Sequence, residues 1–251
     1  WWRGGAASQL PQARRECPWH PRLRQSSLLL MRPAAALSTG AQAWAGRRGL
    51  HAIVVPGNGD VGDVRKCNFY GWAEYSLQAA GLPVRLPEGG MPDPLYAKES
   101  VWVPHILKPT AEGGLGCDRN SILIGHSSGA AAALRVAEQQ RVCGLVLVAA
   151  YADDLGDSLE RASGYFSRPF PWDTIQANCD FLLQYAGARD SLVPISEQTR
   201  VAGLLSPKVQ YTELPRGDHF FSPPFNDLVA DILRNVEDMW LKEGGEPSLD
   251  D

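Results

Sequence analysis

Ser127 lies between two glycines in Gly125-His126-Ser127-Ser128-Gly129, a G-x-S-x-G pattern. The apolar run Ser121-Ile122-Leu123-Ile124 precedes it and the alanine-rich stretch Ala130 to Arg135 follows, so the motif reads as strand, sharp turn and helix. A chain that passes from strand to helix within one residue brings backbone close on both sides, and glycine tolerates that approach. The serine hydroxyl is then held out beyond the carboxyl end of the sheet. The N–H of Ser128 and the helix N-terminus face any negative charge that develops there. The bland alternative is a glycine-rich turn that happens to contain serine.

A serine hydroxyl is a weak nucleophile at neutral pH and needs a base, itself oriented by a carboxylate. Only His219 follows Ser127 in the chain. It sits in Arg216-Gly217-Asp218-His219-Phe220, a loop just beyond the apolar stretch Val209–Leu214. His126 adjoins the serine, where the tight turn points its side chain away from the hydroxyl; His51, His105 and His20 read as structural or solvated. Asp190 follows the strand-like Phe181–Tyr185 and is the best acid, with Asp153 and Asp154 as alternatives because they too follow an apolar run, Gly144–Ala150. Asp218 reads as a turn former, and Asp180 stands at the wrong end of its strand. Two N–H donors are needed for an oxyanion: Ser128 supplies one, and Asn58 in Val54-Val55-Pro56-Gly57-Asn58-Gly59 could supply the other. That loop has neither the G-x-G-x-x-G nor the G-x-x-x-x-G-K-[ST] spacing of a nucleotide site.

These residues need a scaffold that brings strand ends together. Six short, largely apolar runs alternate with helical stretches: His51–Val55, Pro83–Leu86, Ser121–Ile124, Gly144–Ala150, Phe181–Tyr185 and Val209–Leu214. Helices are expected at about Tyr70–Ala80, Ala97–Ile106, Ser128–Gln140, Ser196–Leu205 and Phe225–Leu241. Strands apolar on both faces, with helices between them, predict an α/β protein with a doubly wound, mostly parallel six-stranded sheet. The connection from Tyr151 to Asp180 is long and rich in aromatics, as suits a binding loop or a packed surface subdomain.

The 251 residues, 44% hydrophobic, suffice for one sizeable core. Residues 1–48 carry eight arginines against Glu16, a net +7, leaving −11 over the remainder. An acidic folded domain is a poor partner for nucleic acid. No run reaches the ~20 apolar residues of a membrane span. The five cysteines are scattered, with neither zinc spacing nor a disulfide framework, which favours a reducing compartment such as the cytoplasm or nucleus. Residues 1–48 read as a disordered or leader segment, with Met31 a plausible start and 31–48 resembling a mitochondrial transit peptide. The folded domain is expected at 49–242, and 243–251 as a flexible tail.

Several further stretches occur together with the elbow: Pro56-Gly57-Asn58-Gly59, Met91-Pro92-Asp93-Pro94, Glu99-Ser100-Val101-Trp102-Val103-Pro104 and Arg161-Ala162-Ser163-Gly164-Tyr165-Phe166-Ser167-Arg168-Pro169. With Gly125–Ala130 they resemble the retinoblastoma-binding serine hydrolases over roughly residues 50–240. The resemblance implies a small α/β-hydrolase fold and a triad of Ser127, Asp190 and His219. Vertebrate members also carry a Leu-x-Cys-x-Glu motif proposed to contact retinoblastoma-type pocket proteins. The matching stretch here is Leu115-Gly116-Cys117-Asp118-Arg119, and arginine in place of glutamate argues against that partner.

The resulting expectation is a cofactor-free serine hydrolase acting on a small, hydrophobic ester or amide, peptide or amino-acyl in character. Trp102, Tyr165, Phe166 and Trp172 are expected to line its pocket. The competing class is a protein-binding scaffold that keeps the hydrolase fold.

Overall fold

The computed structural model describes residues 36–246. Its sheet has the strands β1 (His51–Val55), β2 (Val84–Arg85), β3 (Ser121–His126), β4 (Val142–Val148), β5 (Cys179–Gly187) and β6 (Val209–Leu214). Their order is β2-β1-β3-β4-β5-β6, and every neighbouring pair is parallel. The helices are α1 (Thr39–Arg48), α2 (Tyr70–Ala79), α3 (Glu99–Leu107), α4 (Ser128–Gln139), α5 (Ser158–Ser163), α6 (Trp172–Ala177), α7 (Ile195–Leu204) and α8 (Asn226–Lys242).

Strands β1, β3 and β4 are buried along their whole length, which is why their sequences show no polar alternation. Successive side chains still point to opposite faces. Ala52 and Val54 join one core with Trp44 of α1, Leu77 of α2 and Ile232 of α8, while Ile53 and Val55 join another with Trp102 of α3, Ala133 of α4 and Val201 of α7. The edge strand β6 is only partly covered.

Because β2 and β3 flank β1 on opposite sides, the loops leaving β1 and β3 diverge and open a crevice at the carboxyl ends of the strands. Val55 pairs with Gly125, so the Gly57-Asn58 loop and the Ser127 turn leave the sheet side by side.

The fold departs from the sequence reading at both ends of the chain and in the long connection. Residues 39–48, expected to belong to a leader, form α1, capped by Ser38 and closed by Gly49 in the left-handed region. Leu37, Ala41, Trp44 and Ala45 are buried, so the boundary expected at 49 cuts through a packed unit. The arginines that gave the segment its leader-like composition, Arg47 and Arg48, lie in the last turn of α1, where cations favour the helix dipole. Glu243, expected in a flexible tail, accepts hydrogen bonds from Trp44 and Arg48. The remainder of the expected leader, 1–35, and the tail end 247–251 lie outside the described residues. The connection from 151 to 180 contains α5 and α6, each too short for a helical period to show in sequence.

Candidate active site

The Ser127 turn is built as the glycines require. Ser127 has φ 56° and ψ −123°, a conformation that costs a residue with a side chain free energy. Its N–H donates to the Val148 carbonyl at 2.9 Å, anchoring the turn to β4. A Cβ on Gly125 would collide with the Gly129 carbonyl, and one on Gly129 would collide with the carbonyls of Val55 and Pro56. Gly57 lies against Ser127 itself, with 3.4 Å from its ideal Cβ position to the serine Cβ.

The loops after β5 and β6 are pinned to each other. Arg189 N–H donates to Gly217 O at 2.8 Å and Ala188 N–H to Leu214 O at 3.1 Å. Gly187 admits this approach, since a Cβ there would meet the Asp218 carbonyl. The result brings His219 Nδ1 to 2.8 Å from Asp190 Oδ2 and 3.0 Å from Oδ1, with both side chains almost completely buried. Asp190 Oδ1 also accepts from the N–H groups of Leu192 (2.8 Å) and Val193 (2.9 Å), and Oδ2 from Gln198 Nε2 (3.1 Å). Burial alone would push this carboxyl up, but His219 and the two main-chain donors outweigh it and hold it below the usual carboxylate range. An ionised acceptor on Nδ1 fixes the proton there and leaves the Nε2 lone pair free to act as a base. Among the described residues no hydrogen bond joins Ser127 Oγ to His219.

His126 does turn away from the serine hydroxyl, into a buried network. Its Nε2 donates to the carbonyl of His219 at 3.0 Å, and its ring centroid is 4.9 Å from that of His219. Burial, and next the proximity of His219, hold His126 down at about 3, so its one proton sits on Nε2 and Nδ1 accepts from the Tyr70 hydroxyl at 2.7 Å. Tyr70 oxygen in turn accepts from Gly57 N–H (2.9 Å) and Asn68 Nδ2 (3.0 Å), and lies 3.0 Å from Asp60 Oδ2. Asp60 Oδ2 also accepts from Asn68 Nδ2 at 3.0 Å. Burial raises Asp60 to about 6, against the Tyr70 contact and the proximity of His219, which lower it.

Sequence reading missed Tyr70, Asp60, Gln198 and Glu160. Tyr70 and Gln198 fall in helical stretches where they read as core and polar face, Asp60 in a loop and Glu160 in a helix too short to show in sequence, neither with a motif.

The remaining expectations divide. The Gly57 N–H is used by Tyr70, whereas the N–H groups of Asn58 and Ser128 are not spent on main-chain acceptors among the described residues. Asp153 caps Leu155, and Asp154 caps Gly156 and pairs with Arg161 at 2.7 Å, so neither alternative acid reaches His219. Asp218 accepts from the Phe220 N–H, as a turn former does, and Asp180 pairs with Arg141.

The four expected pocket residues do not gather over Ser127. Trp102 is fully buried, with Nε1 donating to Pro92 O at 2.7 Å, and Tyr165 is fully buried in the same core. Phe166 and Trp172 border a depression of about 360 Å³ whose lining includes neither Ser127 nor His219. Alternating turn residues and aromatics marked this segment in the sequence, but the aromatics serve to pack it. At the site itself the His219 ring has Phe221 at 5.3 Å, partly exposed.

No family model matches the chain. Rat serine hydrolase RBBP9 (Rattus norvegicus) is 46% identical over 179 residues, covering 71% of this chain and 91% of that protein. Among solved structures, the ydeN gene product of B. subtilis superposes with a TM-score of 0.62 at 20% identity, covering 74% of this chain and 98% of its own. A thermophilic esterase from Thermogutta terrifontis does so with a TM-score of 0.50 at 15% identity, covering 78% and 90%. The fold is that of an α/β-hydrolase, and at this identity and coverage the chain belongs to the RBBP9 serine hydrolase family.

Proposed function

We propose that the chain hydrolyses a small, hydrophobic ester or amide, peptide or amino-acyl in character, through an acyl-enzyme on Ser127. The observation that carries this reading is the buried, two-oxygen contact of Asp190 with His219 at the strand ends where Ser127 is displayed. His219 Nε2 takes the Ser127 proton as Oγ attacks the carbonyl, and Asp190 stabilises the imidazolium that forms. The N–H groups of Asn58 and Ser128 receive the oxyanion. Collapse of the tetrahedral adduct passes the proton from His219 to the leaving group. Water, activated by the same imidazole, then releases the acid and restores Ser127.

The thiols of Cys117, Cys143 and Cys179 are buried and free while Cys67 is disulfide-bonded, so the cysteines do not carry the expected cytoplasmic setting. A removable transit peptide over 31–48 is hard to reconcile with the packing of α1. No helix among the described residues is long and apolar enough to cross a membrane. Leu115 and Cys117 are buried and Arg119 replaces the motif glutamate, so we propose no retinoblastoma-type partner.

A fluorophosphonate probe tests the reading. Wild type is expected to label and Ser127→Ala to remain unlabelled. A folded wild type that does not label would leave the scaffold role instead, and labelling of Ser127→Ala would move the nucleophile to another residue.

A further inference from the structure

Glu160, on α5 in the connection between β4 and β5, reaches both halves of the site. Its Oε1 accepts from Asn58 Nδ2 at 3.1 Å and from Ser128 Oγ at 3.1 Å, while Ser128 Oγ lies 3.0 Å from the Tyr151 hydroxyl. Asn58 belongs to the loop after β1 and Ser128 to the turn after β3, so this one oxygen ties three separate segments together. The second oxygen, Oε2, is buried without a hydrogen-bond partner, and Glu160 forms no ion pair among the described residues. A carboxylate in such a place is an expensive way to hold a fold together. An apolar side chain would pack there without that penalty, but it could not aim Asn58 and Ser128.

Taking the oxyanion donors to be those named under the proposed function, we propose that Glu160 is a positioning residue that sets them, so that docking of the β4–β5 connection and assembly of the oxyanion hole are one event. Asn58 and Ser128 would present their N–H groups in a converging pair only while their side chains are held from above. Removing an oxyanion donor outright typically costs about 10²–10³ in kcat, and misaiming two by a fraction of an ångström should cost somewhat less.

The test is steady-state hydrolysis of p-nitrophenyl butyrate, a neutral ester, with urea midpoints measured in parallel. Glu160→Ala is expected to lower kcat about 10- to 100-fold with KM within about threefold. Glu160→Gln should keep kcat within about threefold, because its amide oxygen accepts the same two bonds. Ser128→Ala cuts one bond while keeping both main-chain donors, and it should lose part of what Glu160→Ala loses and nothing more when combined with it.

A Glu160→Ala protein with kcat within twofold of wild type would overturn the proposal. So would equal losses in the alanine and glutamine variants, or a loss confined to KM. If Glu160→Ala does not fold, Ser128→Ala with unchanged kcat overturns it in the same way. These outcomes are separable from failure of the hydrolase reading, which shows as wild type that neither labels with fluorophosphonate nor turns over the ester.

Discussion

At the scale of single residues, two carboxylates near the same histidines are set to opposite purposes. Asp190 is held ionised, so Asp190→Asn should leave a folded protein whose kcat falls by about 10³-fold or more, because the wrong imidazole tautomer faces the serine. Ester turnover alongside near-ultraviolet dichroism checks this. Asp60 is raised from its ordinary 3.8 to about 6 by burial. The folded state then binds more protons than the unfolded one between those values, so Asp60 makes the protein less stable as pH rises from about 4 to 6. Asp60→Asn should flatten that part of the stability profile and raise stability at pH 7, by an amount on the order of 2 kcal/mol. Urea midpoints across pH 4–7 measure it; an unchanged slope would mean that Asp60 is ionised throughout. Asp190 has the opposite sign: its depressed value stabilises the fold above the ordinary carboxylate range, a contribution lost as pH falls through the folded value. The contact of Asp190 with His219 was legible in sequence, because each follows a strand in a parallel sheet whose order brings the two loops together. Tyr70 and His126 were not legible as partners, because their contact spans 56 positions and rests on side-chain direction that no local pattern encodes.

At the scale of elements, the site depends on close approach as much as on side chains. Gly129 touches the end of β1 and Gly187 touches the loop that carries His219. Gly187→Ala should therefore separate β5 from that loop, destabilise the fold by about 1–3 kcal/mol and depress kcat beyond what the stability loss explains. Thermal melts paired with turnover at a temperature where the variant is fully folded would separate the two effects. The strands β1 and β6 were legible to the residue, β1 from its apolar run and β6 from Val209, Tyr211 and Leu214 spaced among polar residues and flanked by turn residues. Their neighbours slipped by a few residues, as with β4, which starts two positions before the expected Gly144 because Val142 pairs with Cys179. Helices α5 and α6 were lost for want of length. The aromatic residues that suggested a pocket around them instead stack on one another, Phe170 with Trp172 at 5.3 Å and Phe166 with Tyr151 at 5.4 Å.

At the scale of the whole molecule, the first and last helices among the described residues are clasped. Ser38 Oγ donates to Glu237 Oε1 at 2.6 Å, Trp44 Nε1 to Glu243 at 3.0 Å, and Arg48 pairs with Glu243. Gly40 lies so near Trp240 that a Cβ would enter the indole ring. Removal of residues up to 48 should expose Trp240 and much of the α8 face, lowering the melting temperature by several degrees or making the protein insoluble while the residues of the site stay unaltered. A truncated protein with an unchanged melting temperature would show that α1 contributes no stability. The sequence hid this helix because its arginines and small residues looked like a leader, and its apolar side is only Ala41, Trp44 and Ala45.

That clasp also sets the order of events at the ribosome. Trp44 emerges among the first of the described residues, yet Glu243, to which its indole donates, is made 199 positions later. Such distant pairing is slow and leaves apolar surface open meanwhile. A nascent chain stalled before α8 would carry an uncovered Trp44 and a half-roofed sheet. Its resistance to protease should rise abruptly only when residues 226–242 leave the exit tunnel, so biogenesis of this hydrolase is gated by its last helix.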